Sequence, residues 1–252
     1  MSWKASNLIA DKHCFFGSEG GVSTGKYATL NTNLSSRDDK ADMYKNFDII
    51  AATFGMTRGN MFTIRQGVSD VAVIADKPSW FEVYADGIVT DNPDILLGIK
   101  TADCAPVLLA DYKHGVIGAA HAGWRGAVRG IVENVVALME KKGAVRENIA
   151  AAIGPCMQQR SFEVKDDMRD EFLAQSAVNG KYFIKNTDAT YLFDLSGYLE
   201  DKLHNMEITN VENSHIDTYS ELQKYFSFRR NTHLHLIDAP KDYPTQYSCI
   251  RL

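Results

Sequence analysis

The sequence predicts an α/β fold in a single domain spanning residues 1–252. Three observations lead there. Short apolar runs bounded by turn signals alternate with stretches whose apolar residues recur at helical spacing. The chain, at 252 residues, is long enough to bury one large core. It carries no internal repeat, no low-complexity segment and no convincing linker, so one domain is the economical division.

Taken in order, Cys14-Phe15-Phe16 reads as an edge strand, and Gly20-Gly21-Val22-Ser23 as a flexible turn. Such a turn is weak evidence for phosphate binding. Residues 42–54 form a helix with Met43, Phe47, Ile50 and Ala51 on one face. Residues 61–74 read as strand, turn, strand about Gln66-Gly67. Residues 80–84 lead into Asp86-Gly87, a turn signal before Ile88-Val89, and residues 95–99 form a further strand.

The chain is organised around residues 100–126, KTADCAPVLLADYKHGVIGAAHAGWRG. Two apolar runs, 104–109 and 115–120, flank the turn Tyr112-Lys113-His114-Gly115. Pairing them as an antiparallel hairpin brings Cys104 and His121 to the same end. A thiol and an imidazole placed so suit either a soft metal or a nucleophile with its base. After His121, Ala-Gly-Trp-Arg-Gly opens an amphipathic helix through Val128, Ile131, Val132, Val135, Val136 and Met139. Arg125 stands at its start, where backbone N–H groups favour an anion. The small residues Ala122, Gly123 and Gly126 let the backbone come close to a neighbour.

Beyond that helix, residues 149–153 form a strand stopped by Gly154-Pro155, and Cys156 reads as structural. An acidic helix runs to about Gln175, and residues 193–205 are amphipathic. Residues 233–236 alternate, which puts His233 and His235 on one strand face as an HxH pair. A short strand, residues 247–252, closes the chain.

Composition is ordinary for a globular protein, with 45% apolar and 23% charged residues. A net charge of −5 without a basic stripe argues against a nucleic-acid partner. Cys14, Cys104, Cys156 and Cys249 are widely spaced, which fits a reducing compartment. No apolar stretch approaches a membrane span or a signal peptide, so the expectation is a soluble, cytoplasmic protein, monomer or homodimer.

TADCAPVLLAD, AAHAGWRG, GGVSTGKYATLN, ADGIVT, AAIGPC…FEV and YFSFRR together resemble laccase-domain proteins. These are also called multicopper polyphenol oxidases, or the purine nucleoside phosphorylase family with adenosine deaminase activity. The resemblance runs from about Gly17 to Leu252. It implies a fold like that of a bacterial deamidase toxin, a cysteine-hydrolase-like α/β architecture. It implies a metal, zinc or else copper, on a His, a Cys and a His, of which Cys104 and His121 match the last two. It also implies catalytic roles for Asp86, Cys104, His121 and Arg125, substrate contacts at Gln66 and Trp124, and phosphate as co-substrate.

Three departures stand out. The family's Gln-x-His, whose His is the first metal ligand, is Gln66-Gly67-Val68 here. Ser18 and Phe47 stand where the family usually carries Arg. His233 or His235 are candidates to replace the missing ligand. The leading reading is a metal-dependent enzyme of purine nucleosides: phosphorolysis of adenosine, inosine and methylthioadenosine, with adenosine deamination. The alternatives are a copper-dependent oxidase of phenols, a cysteine hydrolase and a non-catalytic binding protein.

Overall fold

The computed structural model describes residues 2–252. The first strands are β1 (Ser2–Trp3), β2 (His13–Phe16), β3 (Met61–Arg65), β4 (Ala72–Ile74) and β5 (Ser79–Tyr84). Then come β6 (Gly87–Thr90), β7 (Leu96–Thr101), β8 (Ala105–Asp111), β9 (Val116–Ala122) and β10 (Ala150–Ile153). The last are β11 (Glu163–Val164), β12 (Phe183–Lys185), β13 (Tyr191–Phe193), β14 (Asn210–Asn213) and β15 (Gln246–Ile250). The helices are α1 (Lys40–Ala52), α2 (Trp124–Arg129), α3 (Ile131–Lys141), α4 (Asp166–Gln175), α5 (Leu195–Asn205) and α6 (Phe228–His233).

Among the described residues these strands make three sheets: β1-β2-β15-β7-β3-β5, β14-β10-β8-β9-β6-β4, and a small β11-β13-β12. Pairing is of mixed orientation. β3 runs parallel to β5 and β7, and β10 runs parallel to β14, while β8 and β9 are antiparallel. The class is α/β with mixed pairing, in more than one sheet.

Strand alternation sorts the core into layers. Phe15, Leu97, Ile99 and Ile250 of the first sheet meet Ile88, Leu108, Ile117 and Ala119 of the second. On the far side of the first sheet, Phe16, Met61, Leu96 and Tyr247 pack on Phe47 and Ile50 of α1. On the far side of the second, Val107, Leu109, Val116 and Ala120 pack on Val132, Val135, Val136 and Met139 of α3. Each such fully buried aliphatic side chain contributes roughly 1.5–3 kcal/mol.

The small residues in β6 and β9 have a packing cause. A Cβ on Gly118 would lie 2.8 Å from Val135 Cγ1, and one on Gly87 would lie 2.5 Å from Val135 Cγ2. Both glycines let α3 settle on the sheet. The turn between β8 and β9 closes on Asp111, which accepts from His114 N and Nδ1 and from Val145 N. Gly115 completes it at φ 65°, a left-handed conformation.

Several expectations need correction. β2 is not an edge strand; it lies between β1 and β15 and is buried along its length. β3 and β4 belong to different sheets, so residues 61–74 cross from one layer to the next. The helix after His121 breaks at Gly130, whose φ of 98° no helix accommodates. Residues 228–233 are helical, and His235 follows with φ 56°, so His233 and His235 share no strand face. Ser227 accepts from Arg230 N and so caps the turn that the Leu-His-Leu alternation concealed. No described helix is long and apolar enough to cross a membrane.

Candidate active site

The β8–β9 register sets the site. Ala105 pairs with Ala122 and Pro106 with His121, so Cys104 lies directly beyond the paired end. β6 pairs with the other edge of β9, Gly87 opposite Ala120, which brings Asp86 beside His121. The His121 backbone N–H donates to the Asp86 carbonyl at 2.7 Å, and Nδ1 lies 2.7 Å from Asp86 Oδ1. The pairing of Pro106 with His121 sets the Cys104 side chain at the same end of the hairpin as this imidazole. Gly123 packs closely here, since a Cβ would sit 3.0 Å from Val68 Cγ1 and 3.1 Å from Cys104 Sγ.

Asp86 is also the hub of the loop that carries the Gln66 motif. Its Oδ2 accepts from Gly67 N, Ser69 N and Ser69 Oγ, and its Oδ1 from Val68 N. Val68 is held at φ 59°, a strained conformation for a β-branched residue. The carboxylate fixes that strain by gathering three consecutive N–H groups. Gly126 lets α2 close over the loop, since a Cβ there would lie 2.8 Å from Ser69 O.

The electrostatics follow from this geometry. Burial alone would strip the proton from His121. The Cys104 sulfur and the Asp86 carboxylate outweigh burial and raise its pKa to about 9. Burial opposes the Asp86 charge too, but hydrogen bonds from His121 and Ser69 hold its pKa down to about 2. At neutral pH the pair is imidazolium and carboxylate.

Asp103 is a residue that sequence reasoning passed over. It adopts φ 85° directly before Cys104. Its Oδ1 accepts from Thr218 Oγ1 at 2.7 Å and its Oδ2 from Arg229 N at 2.7 Å. Burial pushes its pKa up, against the pull of those bonds. Asp103 thereby ties the Cys104 turn to the start of α6. Arg230 locks that segment from inside, donating to the carbonyls of Thr218, Tyr219 and Tyr225. The adjacent Asp-Cys was the sole signal in the sequence; partners more than a hundred residues away left none.

The remaining candidates lie elsewhere. Gln66 turns its amide to the Lys100 backbone, donating to its carbonyl at 2.7 Å and accepting from its N–H at 2.9 Å. Trp124 is half-buried against Phe172, and the exposed Arg125 guanidinium stacks on its ring at 4.2 Å. Both line a groove with Phe162, Lys165, Asp167 and Arg229. His233 Nδ1 lies 2.9 Å from the Tyr219 hydroxyl. Phe47, in place of an Arg, fills an aromatic cluster with Trp80, Phe81 and Tyr247. Ser18 is buried and bonded to Gln223 O. Cys156 is buried, and burial raises its pKa well above the usual thiol range.

The donor set does not fit a three-ligand metal. Cys104 and the second nitrogen of His121 offer two donors, while Nδ1 faces Asp86. At the Gln66 motif, where a third ligand is expected, the Gln66 amide is spent on Lys100 and Gly67–Ser69 present N–H groups to Asp86. Among the described residues no three His, Cys, Asp or Glu side chains converge as a metal-holding group.

A family model described as multi-copper polyphenol oxidoreductase laccase matches residues 12–235. A Rickettsia prowazekii protein named purine nucleoside phosphorylase is 35% identical over 213 residues, 84% of this chain and 85% of that one. A Rickettsia conorii protein of the same name is 40% identical over 151 residues, 60% of this chain and 62% of its own length. The crystal structure of a Bacillus licheniformis hypothetical protein, YfiH, matches with a TM-score of 0.87 and 26% identity, over 95% of this chain and 92% of that one.

Proposed function

Because this chain belongs to the multi-copper polyphenol oxidoreductase laccase family, in which relatives carry the name purine nucleoside phosphorylase, we propose that it is an enzyme of purine nucleosides acting through Cys104, His121 and Asp86. The observation that carries this reading is the juxtaposition of Cys104, His121 and Asp86 at one end of the β8–β9 hairpin, with His121 Nδ1 2.7 Å from Asp86 Oδ1. In phosphorolysis a phosphate oxygen bonds to the sugar C1′ as the bond to the purine nitrogen breaks. The bonding pair leaves with the base, which then takes a proton. A His121 that keeps its proton to about pH 9 is a suitable general acid for that step. Asp86 fixes the ring orientation and stabilises the imidazolium, and the Cys104 side chain stands on the other side of the ring.

Adenosine, inosine and methylthioadenosine are the substrates to test. Purified protein, treated with chelator, is incubated with each nucleoside with and without phosphate. Free base and pentose 1-phosphate should appear only with phosphate, and Cys104→Ala and His121→Asn should abolish them. Free base at equal rates without phosphate would make the reaction a hydrolysis. No turnover of any nucleoside would remove the reading.

A second reading is thiol hydrolysis, including adenosine deamination, in keeping with the expected likeness to the deamidase-toxin fold. It is favoured by the same juxtaposition and by the lack of a third metal donor among the described residues. Cys104 sulfur would add to C6 as its S–H proton passes to the purine N1, the C6–N bond would break with the His121 proton leaving on ammonia, and water would then add to C6, return a proton to His121 and expel the thiol as inosine forms. Ammonia release abolished by Cys104→Ala supports it. The oxidase reading draws no support from this two-donor set.

A further inference from the structure

Beside the loop that Asp86 holds lies a second feature that the chemistry above does not use. Asn33, Leu34, Ser35, Arg65, Gln66, Phe81, Tyr84, Lys100, Lys241 and Tyr243 line a cavity of about 440 Å³. That is a usual size for a small-molecule site. Its lining holds three basic side chains and no carboxylate. Elsewhere cations such as Lys26, Lys142, Arg146 and Lys181 are paired with acids. Arg65, Lys100 and Lys241 form no ion pair with a described residue.

Arg65 is aimed rather than neutralised. Its Nε donates to the Phe81 carbonyl at 2.5 Å, a guanidinium N–H donates to the Tyr84 hydroxyl, and the group sits over the Tyr84 ring. Lys100 is partly buried, and its backbone is pinned on both sides by Gln66. Burial first, then the nearby Lys241 charge, push the Lys100 ammonium below its ordinary pKa, and Asp86 pulls the other way. The cluster is thus self-repelling, and a bound anion would relieve it. The cavity borders the reacting centre through its lining residue Gln66, which directly precedes the Gly67–Ser69 loop gathered by Asp86.

We propose that Arg65, Lys100 and Lys241 form a subsite for a phosphate dianion beside the loop that Asp86 holds. This deepens the reading above by seating the phosphate, and rests on that reading only for the phosphate's role as co-substrate. A fork of guanidinium N–H groups with two ammonium groups suits a tetrahedral oxyanion. The phosphate is either inorganic or carried on the substrate, and the two sources are separable.

Calorimetric titration of the full chain with inorganic phosphate, with adenosine 5′-monophosphate and with adenosine decides it. Phosphate should bind, and binding should weaken at least tenfold in Arg65→Gln, in Lys241→Glu and in Lys100→Met. Arg65 and Lys241 are exposed, so those two variants keep the fold if Lys100→Met does not. Adenosine binding should change little. The monophosphate binding more tightly than both adenosine and phosphate would assign the subsite to a phosphorylated substrate. Phosphate and monophosphate affinities unchanged in Arg65→Gln and Lys241→Glu would overturn the proposal, as would no binding of either. Phosphate binding lost in these variants, in a protein that cleaves no nucleoside, would uphold the subsite and sink the nucleoside reading instead.

Discussion

At the scale of single residues, Asp86 does more than any other group at the site. It stabilises the His121 imidazolium and holds the Gly67–Ser69 loop at once. Asp86→Asn should therefore act twice. It should release the His121 proton at a lower pH and slow turnover on the order of 10²–10⁴-fold. It should also cost about 3–5 kcal/mol, as removing one partner of a buried pair does. Thermal melts and a histidine NMR titration check the two effects separately. The pH dependence has a definite sign. His121 is raised from 6.5 to about 9, so its stabilisation is complete below pH 6.5 and is lost as pH rises through 9. Asp86 is lowered from 3.8 to about 2, so its share is present above 3.8 and is lost only as pH falls through 2. Urea unfolding between pH 6 and roughly 9.5 should show wild-type stability falling toward that of Asp86→Asn. Parallel curves over that range would mean the imidazole carries no extra proton in the fold.

Residue chemistry also marks how far the sequence could be read. The approach of Cys104 to His121 was legible because antiparallel pairing depends only on where two apolar runs begin and end. The Asp86 contact was not, since an Asp before Gly looks like any turn. The resemblance alone singled it out, and its partner His121 is visible only when β6 joins β9. Asp103 was hidden for a stronger reason: Thr218 and Arg229 reach it from the far end of the chain. Asp103→Ala should leave a hydroxyl and an N–H without their acceptor, at about 1–3 kcal/mol each where buried. Its kinetic effect should appear at Cys104, as slower alkylation or altered pH dependence of the thiol. An alkylation profile identical to wild type would confine Asp103 to holding α6.

At the scale of elements, α3 and the β8–β9 hairpin form the rigid base of the site. Helical spacing correctly predicted the apolar face of α3 but not the break before it. Val128 and Ile131 continue the period across Gly130, and only φ distinguishes one helix from two. The alternation at 233–236 misled for a related reason: four residues satisfy period 2 and the last turn of a helix equally well. The close seat of α3 makes a specific demand on glycine. Gly118→Ala should cost about 1–3 kcal/mol by overpacking against Val135 and Met139. Adding Val135→Ala should recover part of that loss, because it removes the methyl group nearest the new Cβ. A double mutant less stable than the sum of both singles would place the strain elsewhere, in the strand rather than under the helix.

At the scale of the whole molecule, the site is assembled from segments that no local pattern joins. Asp86 arrives with β6, Cys104 and His121 with the β8–β9 hairpin, and the Gly67–Ser69 loop from the crossing between two sheets. This arrangement bears on the metal. A resident zinc normally takes three or four protein ligands, and the fold delivers Cys104 and His121. The other donors nearby are engaged: the Gln66 amide on Lys100, Asp103 on Thr218 and Arg229, and Asp86 on the loop. His233, held by the Tyr219 hydroxyl on α6, has the geometry of a helix end rather than of a strand folded over the site. Zinc and copper should accordingly bind well below one equivalent after dialysis against a weak chelator. Whatever does bind should depend on Cys104 and His121 and be unchanged in His233→Ala/His235→Ala. Nucleoside turnover should survive chelation. Elemental analysis beside single-turnover assays on the same samples reads both. One equivalent of zinc, lost in Cys104→Ala, in His121→Ala and in the double His variant alike, with activity lost in step, would mean that the α6 region closes over the site to supply a third ligand. The thiol–imidazole mechanism would then give way to metal-activated water.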